Sequence, residues 1–169
     1  MKVKTYLKKN KTIKSLEKIE LDYKQYFIPC ADDNALNYIS DYHYIEGAII
    51  IDYNDEIILG FQQWDLVDQL WTYIIEAIEL IIYDKEEVGF FFPDQPIKVQ
   101  IKKMYNHYVL FSVDKNSILV EKNEFFSSLL DGAERFFGIL KYVDSSDLMA
   151  HSEKMLKKIC SCKKEILKD

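Results

Sequence analysis

The hydrophobic and polar positions along the chain predict both strands and helices. Residues 44–53 are rich in β-branched side chains, and residues 56–61 are again apolar. Asn54 and Asp55 between them form a turn signal, so this region predicts a β-hairpin. Residues 65–83 carry polar side chains at spacings of three and four, which predicts a helix. The rest of that helix is apolar, so we expect a sheet and other helices, or a second copy of the chain, to cover it.

Four short extended segments follow this helix, at residues 88–92, 97–104, 107–113 and 117–121. Connections this short allow antiparallel pairing and exclude parallel crossovers, so the segments predict a four-stranded meander. In the second segment Val99 and Ile101 alternate with Lys98 and Lys102, which predicts one buried and one solvated face.

Two further helices are predicted near the carboxyl end. Residues 123–140 are apolar on one face, with Asn123 as the expected amino cap, and residues 148–167 form a lysine-rich amphipathic pattern. The first 30 residues fit either a short helix or a strand. We therefore predict a single globular domain over residues 1–169 with an α+β fold. Its antiparallel sheet contains the hairpin and the four-strand meander, and its helices pack mainly on one face.

The composition is that of a folded protein. Apolar residues make up 49% of the 169 positions, with only 3 prolines and 5 glycines, which excludes a disordered or low-complexity chain. The apolar runs are strand-sized, and no apolar segment follows the first lysines, so we expect no membrane span and no signal peptide. Three cysteines are an odd number, which favours a reducing compartment and a cytoplasmic location.

Charge is distributed unevenly around a net value of −6. Residues 1–30 contain eight lysines and three acids, residues 31–95 contain fifteen acids and one lysine, and residues 96–169 contain thirteen bases and ten acids. A negative middle third repels phosphate backbones and attracts a basic protein, so we expect a basic protein partner and no direct contact with nucleic acid. The alternative is that these acids only keep the protein in solution.

Motifs for catalysis or metal binding are absent from the sequence. The potential ligands are scattered or too closely spaced for a zinc site: His43, His107, His151, Cys160 and Cys162. The chain has no glycine-rich phosphate loop and no serine elbow. Its paired carboxylates have the pattern of solvated helix and turn residues. We therefore expect no catalytic residue, no metal and no cofactor.

A protein-binding surface is the remaining signal. Aromatic side chains next to acids are typical of a patch that binds a basic partner. On the predicted helix we expect an acidic strip without any base to neutralise it. The predicted protein-binding residues are Asp52, Asp55, Glu56, Trp64, Asp65, Asp68, Glu76 and Glu79.

The order of these parts resembles the small α+β immunity proteins that are encoded beside bacterial polymorphic or contact-dependent toxins. The resemblance covers residues 44–141: the acidic hairpin of residues 46–60, the helix that opens Trp-Asp-Leu-Val-Asp-Gln-Leu-Trp, the meander, and the phenylalanine-rich helix. It consists of apolar spacing and carries no functional residue over by motif. It implies a non-catalytic cytoplasmic protein that binds one toxin and blocks it.

Two other functions stay open at this point. A small enzyme or ligand-binding domain would have a sizeable pocket lined by His43 or His107 together with carboxylates. A homo-oligomeric structural or assembly protein would cover its very apolar helix with a second copy of itself.

Overall fold

The computed structural model describes residues 1–105 and 107–168 and has an α+β fold built from two antiparallel sheets and four α-helices. This confirms the predicted α+β class, but the hairpin and the meander lie in two separate sheets and not in one. The strands are β1 (Lys2–Lys8), β2 (Phe27–Pro29), β3 (Glu46–Tyr53), β4 (Glu56–Leu59), β5 (Asp65–Leu66), β6 (Glu87–Phe91), β7 (Lys98–Lys103), β8 (Tyr108–Val113) and β9 (Asn116–Glu121). The helices are α1 (Ile19–Tyr26), α2 (Val67–Tyr83), α3 (Lys122–Leu140) and α4 (Ser146–Ile166).

The first sheet contains the predicted hairpin. Its strand order is β2–β1–β3–β4, and β5 also pairs with β3. Asn54 and Asp55 connect β3 to β4 with positive φ values of 52° and 64°, as a two-residue hairpin turn requires. The ambiguous amino-terminal region contains both kinds of element, because β1 pairs with β3 from Lys2↔Asp52 to Leu7↔Gly47 and a helix, α1, follows.

The second sheet is the predicted meander, with the order β6–β7–β8–β9. Val99 and Ile101 of β7 are buried, whereas Lys98 and Lys102, which precede and follow them, are exposed. This confirms that one face of the strand is buried and the other is solvated. The two sheets lie side by side, with contacts between β4 and β9.

Three helices lie on one side of these sheets. α2 contacts β3 of the first sheet and both β6 and β7 of the second, α3 contacts β1 and β9, and α4 packs on α2 and α3. Most of the apolar surface of α2 is thus covered within the chain, while Leu80 and Tyr83 near its end are exposed. The buried side chains of α2–α4 and of both sheets form one continuous hydrophobic core.

The fourth helix, α1, covers the opposite face of the first sheet. There a smaller cluster contains Tyr6, Ile19, Phe27, Ala48 and Phe61. Its centre is aromatic, with the ring of Tyr23 stacked on that of Phe61 at a centroid distance of 4.5 Å. The first sheet is therefore buried on both faces over part of its area.

Two helix starts differ from the sequence prediction. Asp65 and Leu66 pair with Gly47 and Glu46 as the short strand β5, so α2 begins only at Val67. The amino cap of α3 is Glu121, and the expected cap Asn123 lies inside the helix. The Glu121 carboxylate accepts hydrogen bonds from the backbone N–H groups of residues 123 and 124 at 3.1 and 2.5 Å. These N–H groups in the first turn have no acceptor within the helix, so the carboxylate caps it.

Candidate functional site

A cleft of about 280 Å³ lies where the first half of α2 meets the start of α4. We call it the Asp68 cleft. Three segments line it: the loop before β3 with Tyr42 and His43, helix α2 with Asp68 and Thr72, and helix α4 with Asp147 and His151. No lysine or arginine lines this cleft within residues 1–105 and 107–168.

Asp68 is the unusual group in the cleft. The residue is only 9% exposed, and its Oδ1 atom has no hydrogen-bond partner. Burial raises the pKa of its carboxyl group from 3.8 to about 6, against the lowering effect of the backbone N–H groups of Gln69 and of Asp68 itself. A buried carboxylate without a full set of partners costs free energy that a bound donor would recover.

Thr72 connects Asp68 to His151 across the two helices. Its hydroxyl group donates a hydrogen bond to the Asp68 carbonyl oxygen at 2.8 Å, and its Oγ1 atom lies 3.0 Å from His151 Nε2. When the hydroxyl hydrogen is donated to the Asp68 carbonyl, Oγ1 is left to accept from Nε2. This arrangement favours the Nε2–H tautomer of neutral His151, with Nδ1 as an acceptor.

His151 remains neutral more readily than an ordinary histidine. Burial and then the charge of Lys154 lower its pKa, while Glu76 opposes them. Its ring meets that of Phe137 edge-on at 5.7 Å. The imidazole therefore contributes a neutral polar surface to the cleft.

The two acids of the cleft lie at the amino-terminal ends of two helices. Asp68 and Asp147 lie in the first turns of α2 and α4, where the helix dipole stabilises carboxylates. Tyr42 and Tyr73 add aromatic rings to the walls. Carboxylates beside aromatic faces form a suitable environment for an ammonium or guanidinium group.

Asp65 has a different role from the one that the sequence suggested. It is 2% exposed and accepts hydrogen bonds from three backbone N–H groups: Leu66 at 2.6 Å, Asp94 at 3.1 Å and Gln95 at 3.1 Å. The loop between β6 and β7 is thereby attached to the start of α2. Asp65 is part of the interior, and the predicted exposed strip does not include it.

The acids further along α2 are paired. Lys158 of α4 lies 3.7 Å from the carboxylate of Glu76 and 2.7 Å from that of Glu79. The expectation of an acidic strip without a neutralising base was therefore wrong, because α4 brings a lysine from the other end of the chain. At the hairpin, Lys2 lies 3.6 Å from the carboxylates of both Asp52 and Asp55.

The remaining two predicted residues lie elsewhere. Glu56 is exposed at the start of β4. Trp64 is half-buried beside the cluster under α1, and Lys8 Nζ lies 5.3 Å from the centre of its ring. Of the eight predicted residues, Asp68 alone lines the cleft in the described part of the chain.

The sequence-based list of protein-binding residues did not include the helix α4 side of the cleft. Asp147 and His151 are four residues apart on α4, as Asp68 and Thr72 are on α2, so each pair shares one helix face. This spacing is visible in the sequence. The packing of the two faces against each other is not.

Metal binding and membrane insertion receive no support from the described residues. Within residues 1–105 and 107–168, three or more histidine, cysteine or acidic side chains nowhere form a potential metal-binding group. The helices of the same residues lack the combination of length and apolar character needed to cross a bilayer. Cys30, Cys160 and Cys162 are free thiols.

Comparison with known proteins finds no matching family model, no similar curated protein and no similar solved structure. By its fold alone, the chain is an α+β protein with two antiparallel sheets and an acidic cleft between two helices.

Proposed function

We propose that this chain is a non-catalytic protein of the immunity type, which neutralises a toxin by binding a basic domain of it. The Asp68 cleft receives a lysine or arginine side chain of that domain. The observation that carries the proposal is the buried carboxylate of Asp68, with an unpartnered oxygen in a cleft that no lysine or arginine of the described residues lines. A cytoplasmic location is part of the same proposal.

Charge supports this type of partner. A basic side chain entering the cleft would provide the donor that Oδ1 lacks and would neutralise a partly buried charge. The tyrosines beside it provide aromatic contact area, as residues at the centre of protein interfaces commonly do. The net charge of −6 favours the approach of a basic domain at long range.

The internal ion pairs limit what the rest of the acidic region can contribute. Glu76 and Glu79 are paired with Lys158, and Asp52 and Asp55 with Lys2. These acids act through the general field of the protein, whereas Asp68 makes the specific contact. Specific recognition of the basic partner is therefore expected at the Asp68 cleft.

The test uses the toxin domain encoded by the reading frame next to that of this chain. We expect the purified chain to bind this domain and to rescue growth of cells that express it. D68N should weaken binding at least tenfold, because the amide retains the shape and removes the charge. E56Q, which removes an exposed acid outside the cleft, is the matched control and should bind within twofold of the unmodified chain.

The affinity should also depend on pH in a way that identifies Asp68. Since its pKa is about 6, protonation between pH 7 and pH 5 removes the charge that the partner's basic group needs. We expect binding to weaken over this range in the unmodified chain and to vary much less in D68N. Equal binding by D68N and E56Q at pH 7 would refute the proposed site.

A small enzyme is the second candidate, because the cleft combines His43 and two carboxylates with the Thr72–His151 hydrogen bond. A carboxyl group with a pKa near 6 and a neutral imidazole are suitable for proton transfer. Titration of the toxin distinguishes the proposed inhibitor from an enzyme that acts on the toxin itself. An inhibitor neutralises it at a fixed stoichiometric ratio, whereas an enzyme neutralises it well below one equivalent and with time.

A further inference from the structure

A second concave site lies on a different part of the molecule. A groove of about 260 Å³ runs between β1 and α3 beside the end of β2, and we call it the Arg135 groove. Val3, Pro29, Phe136 and Ile139 provide apolar walls, and Lys4 and Arg135 are the charged residues that line it. Within the described residues, its lining contains no aspartate or glutamate.

We propose that the Arg135 groove binds a small carboxylic acid, with the carboxylate paired to Arg135, Lys4 approaching it around the edge of β1, and an apolar tail along the walls. This inference is independent of the proposed function, since it uses none of the residues of the Asp68 cleft. Acids line the Asp68 cleft and bases line the Arg135 groove, so the two sites should bind ligands of opposite charge.

The short length of β2 creates the groove. β2 pairs with β1 only at Tyr6, Leu7 and Lys8, and the backbone N–H of Cys30 then donates to the Thr5 carbonyl oxygen at 2.9 Å. Beyond this point the first half of β1 has no strand beside it on that side within the described residues. The space next to Val3 and Lys4 is left for a ligand.

Arg135 is held in a position to use its remaining donors. It is the only arginine of the chain, and one of its nitrogens donates to the Val3 carbonyl oxygen at 3.1 Å. This contact places one guanidinium nitrogen at the edge of β1. A guanidinium group has five N–H donors, so others remain for a carboxylate, which it recognises through two parallel hydrogen bonds.

The floor of the groove is apolar and closely packed. The thiol of Cys30 is buried, and burial raises its pKa to about 12, so it is uncharged at neutral pH. Gly132 allows α3 to approach β1, because a Cβ atom there would lie 2.6 Å from a methyl group of Val3. The groove is smaller than pockets that enclose drug-sized ligands, which restricts its occupant to a short chain or a single ring.

Isothermal titration calorimetry with three ligands of equal tail length tests the proposal: octanoate, octan-1-ol and octylammonium. We expect octanoate to bind at least tenfold more tightly than octan-1-ol and octylammonium not to bind. R135Q and K4Q should each weaken octanoate binding at least fivefold. K115Q, which removes an exposed lysine at the turn between β8 and β9, is the control and should leave it unchanged.

Two outcomes would overturn the proposal. The first is equal affinity for octanoate and octan-1-ol, and the second is octanoate binding by K4Q that matches K115Q. R135Q also loses the hydrogen bond to Val3, so its melting temperature must be measured beside it. If R135Q fails to fold, K4Q alone decides. Neither outcome affects the toxin-binding test, which uses another ligand and other variants.

Discussion

Asp65 and Asp68 stand three residues apart, and both carboxylates are largely buried, at 2% and 9% exposure. The protein satisfies the first with three backbone N–H groups, two of them from the loop between β6 and β7. It leaves an oxygen of the second without a partner at the wall of a cleft. Burial raises the pKa of both carboxyl groups, and at Asp65 the three backbone donors oppose that rise.

The comparison shows how a structural acid is separated from a candidate binding acid. A buried carboxylate with its full set of donors holds local structure together, and its loss leaves those donors unsatisfied. A buried carboxylate with an incomplete set of donors costs stability and is a candidate for a binding role. Opposite effects of substitution at the two positions are therefore expected.

Asp65→Ala should produce the largest effect on stability. It removes the acceptor for Leu66, Asp94 and Gln95 at once, so the free energy of unfolding should fall by about 3 kcal/mol. Urea denaturation followed by tryptophan fluorescence measures the change. Asp33→Ala, at an exposed position in the loop after β2, should change it by less than about 0.5 kcal/mol. Equal values for the two variants would remove the anchoring role of Asp65.

Asp68→Asn should raise the free energy of unfolding, whereas Asp65→Ala should lower it. The folded state holds the Asp68 proton more tightly than the unfolded chain does, with a pKa of about 6 against 3.8. This group therefore lowers stability progressively as the pH rises from about 4 to 6. Asn carries no charge, so D68N should be more stable than the unmodified chain by about 1–2 kcal/mol at pH 7, after allowance for residual solvation.

The pH dependence provides the control for this second prediction. The advantage of D68N should shrink as the pH falls through 6 and should be largely lost at pH 4, close to the unfolded-state pKa of 3.8. Urea denaturation at pH 4, 5, 6 and 7 measures it. Destabilisation of D68N at pH 7 would mean that Asp68 is as well satisfied as Asp65, and the contrast between them would fail.

Local patterns predicted most of the elements. The Asn54–Asp55 turn, the alternation around Val99 and the apolar girth of α2 depend on neighbours within a few residues, and the structure confirms each of them. Strand β1 also has a local pattern of this kind, since Val3 and Leu7 are buried while Lys2 and Lys4 are exposed. Its alternation is visible in the sequence, but the prediction left the first 30 residues open between strand and helix.

The candidate site depended on contacts between distant parts of the chain. Asp65 does not start helix α2, because it pairs as a strand residue with Gly47 of β3, eighteen residues earlier. Lys158 neutralises Glu79 from 79 residues away, and His151 reaches Thr72 over the same separation. Charge and spacing within one segment do not specify which segment packs against it. The cleft could therefore not be assembled from the sequence, although its residue Asp68 was selected.

Thr72→Val should have an intermediate effect. Valine keeps the shape of threonine and removes the hydroxyl group that joins the Asp68 carbonyl to His151. We expect the free energy of unfolding to fall by about 1 kcal/mol. Nitrogen NMR of the imidazole should show the Nε2–H tautomer as dominant in the unmodified chain and less dominant in the variant. Thr12→Val, at an exposed position before α1, is the control substitution and should alter neither measurement.

The smallest effect concerns the acids that are already neutralised. A double-mutant cycle with E79Q and K158M should give a coupling free energy of about 0.5–1 kcal/mol, since the two side chains are only 30% and 19% exposed and lie 2.7 Å apart. The same cycle at Lys2 and Asp55, which are 67% and 93% exposed, should give less than about 0.3 kcal/mol. Added salt should reduce the second coupling more than the first. Equal couplings would mean that α4 does not hold the acids of α2 any more firmly than a surface lysine holds those of the hairpin. The contrast between these paired acids and the unpaired Asp68 would then rest on the cleft alone.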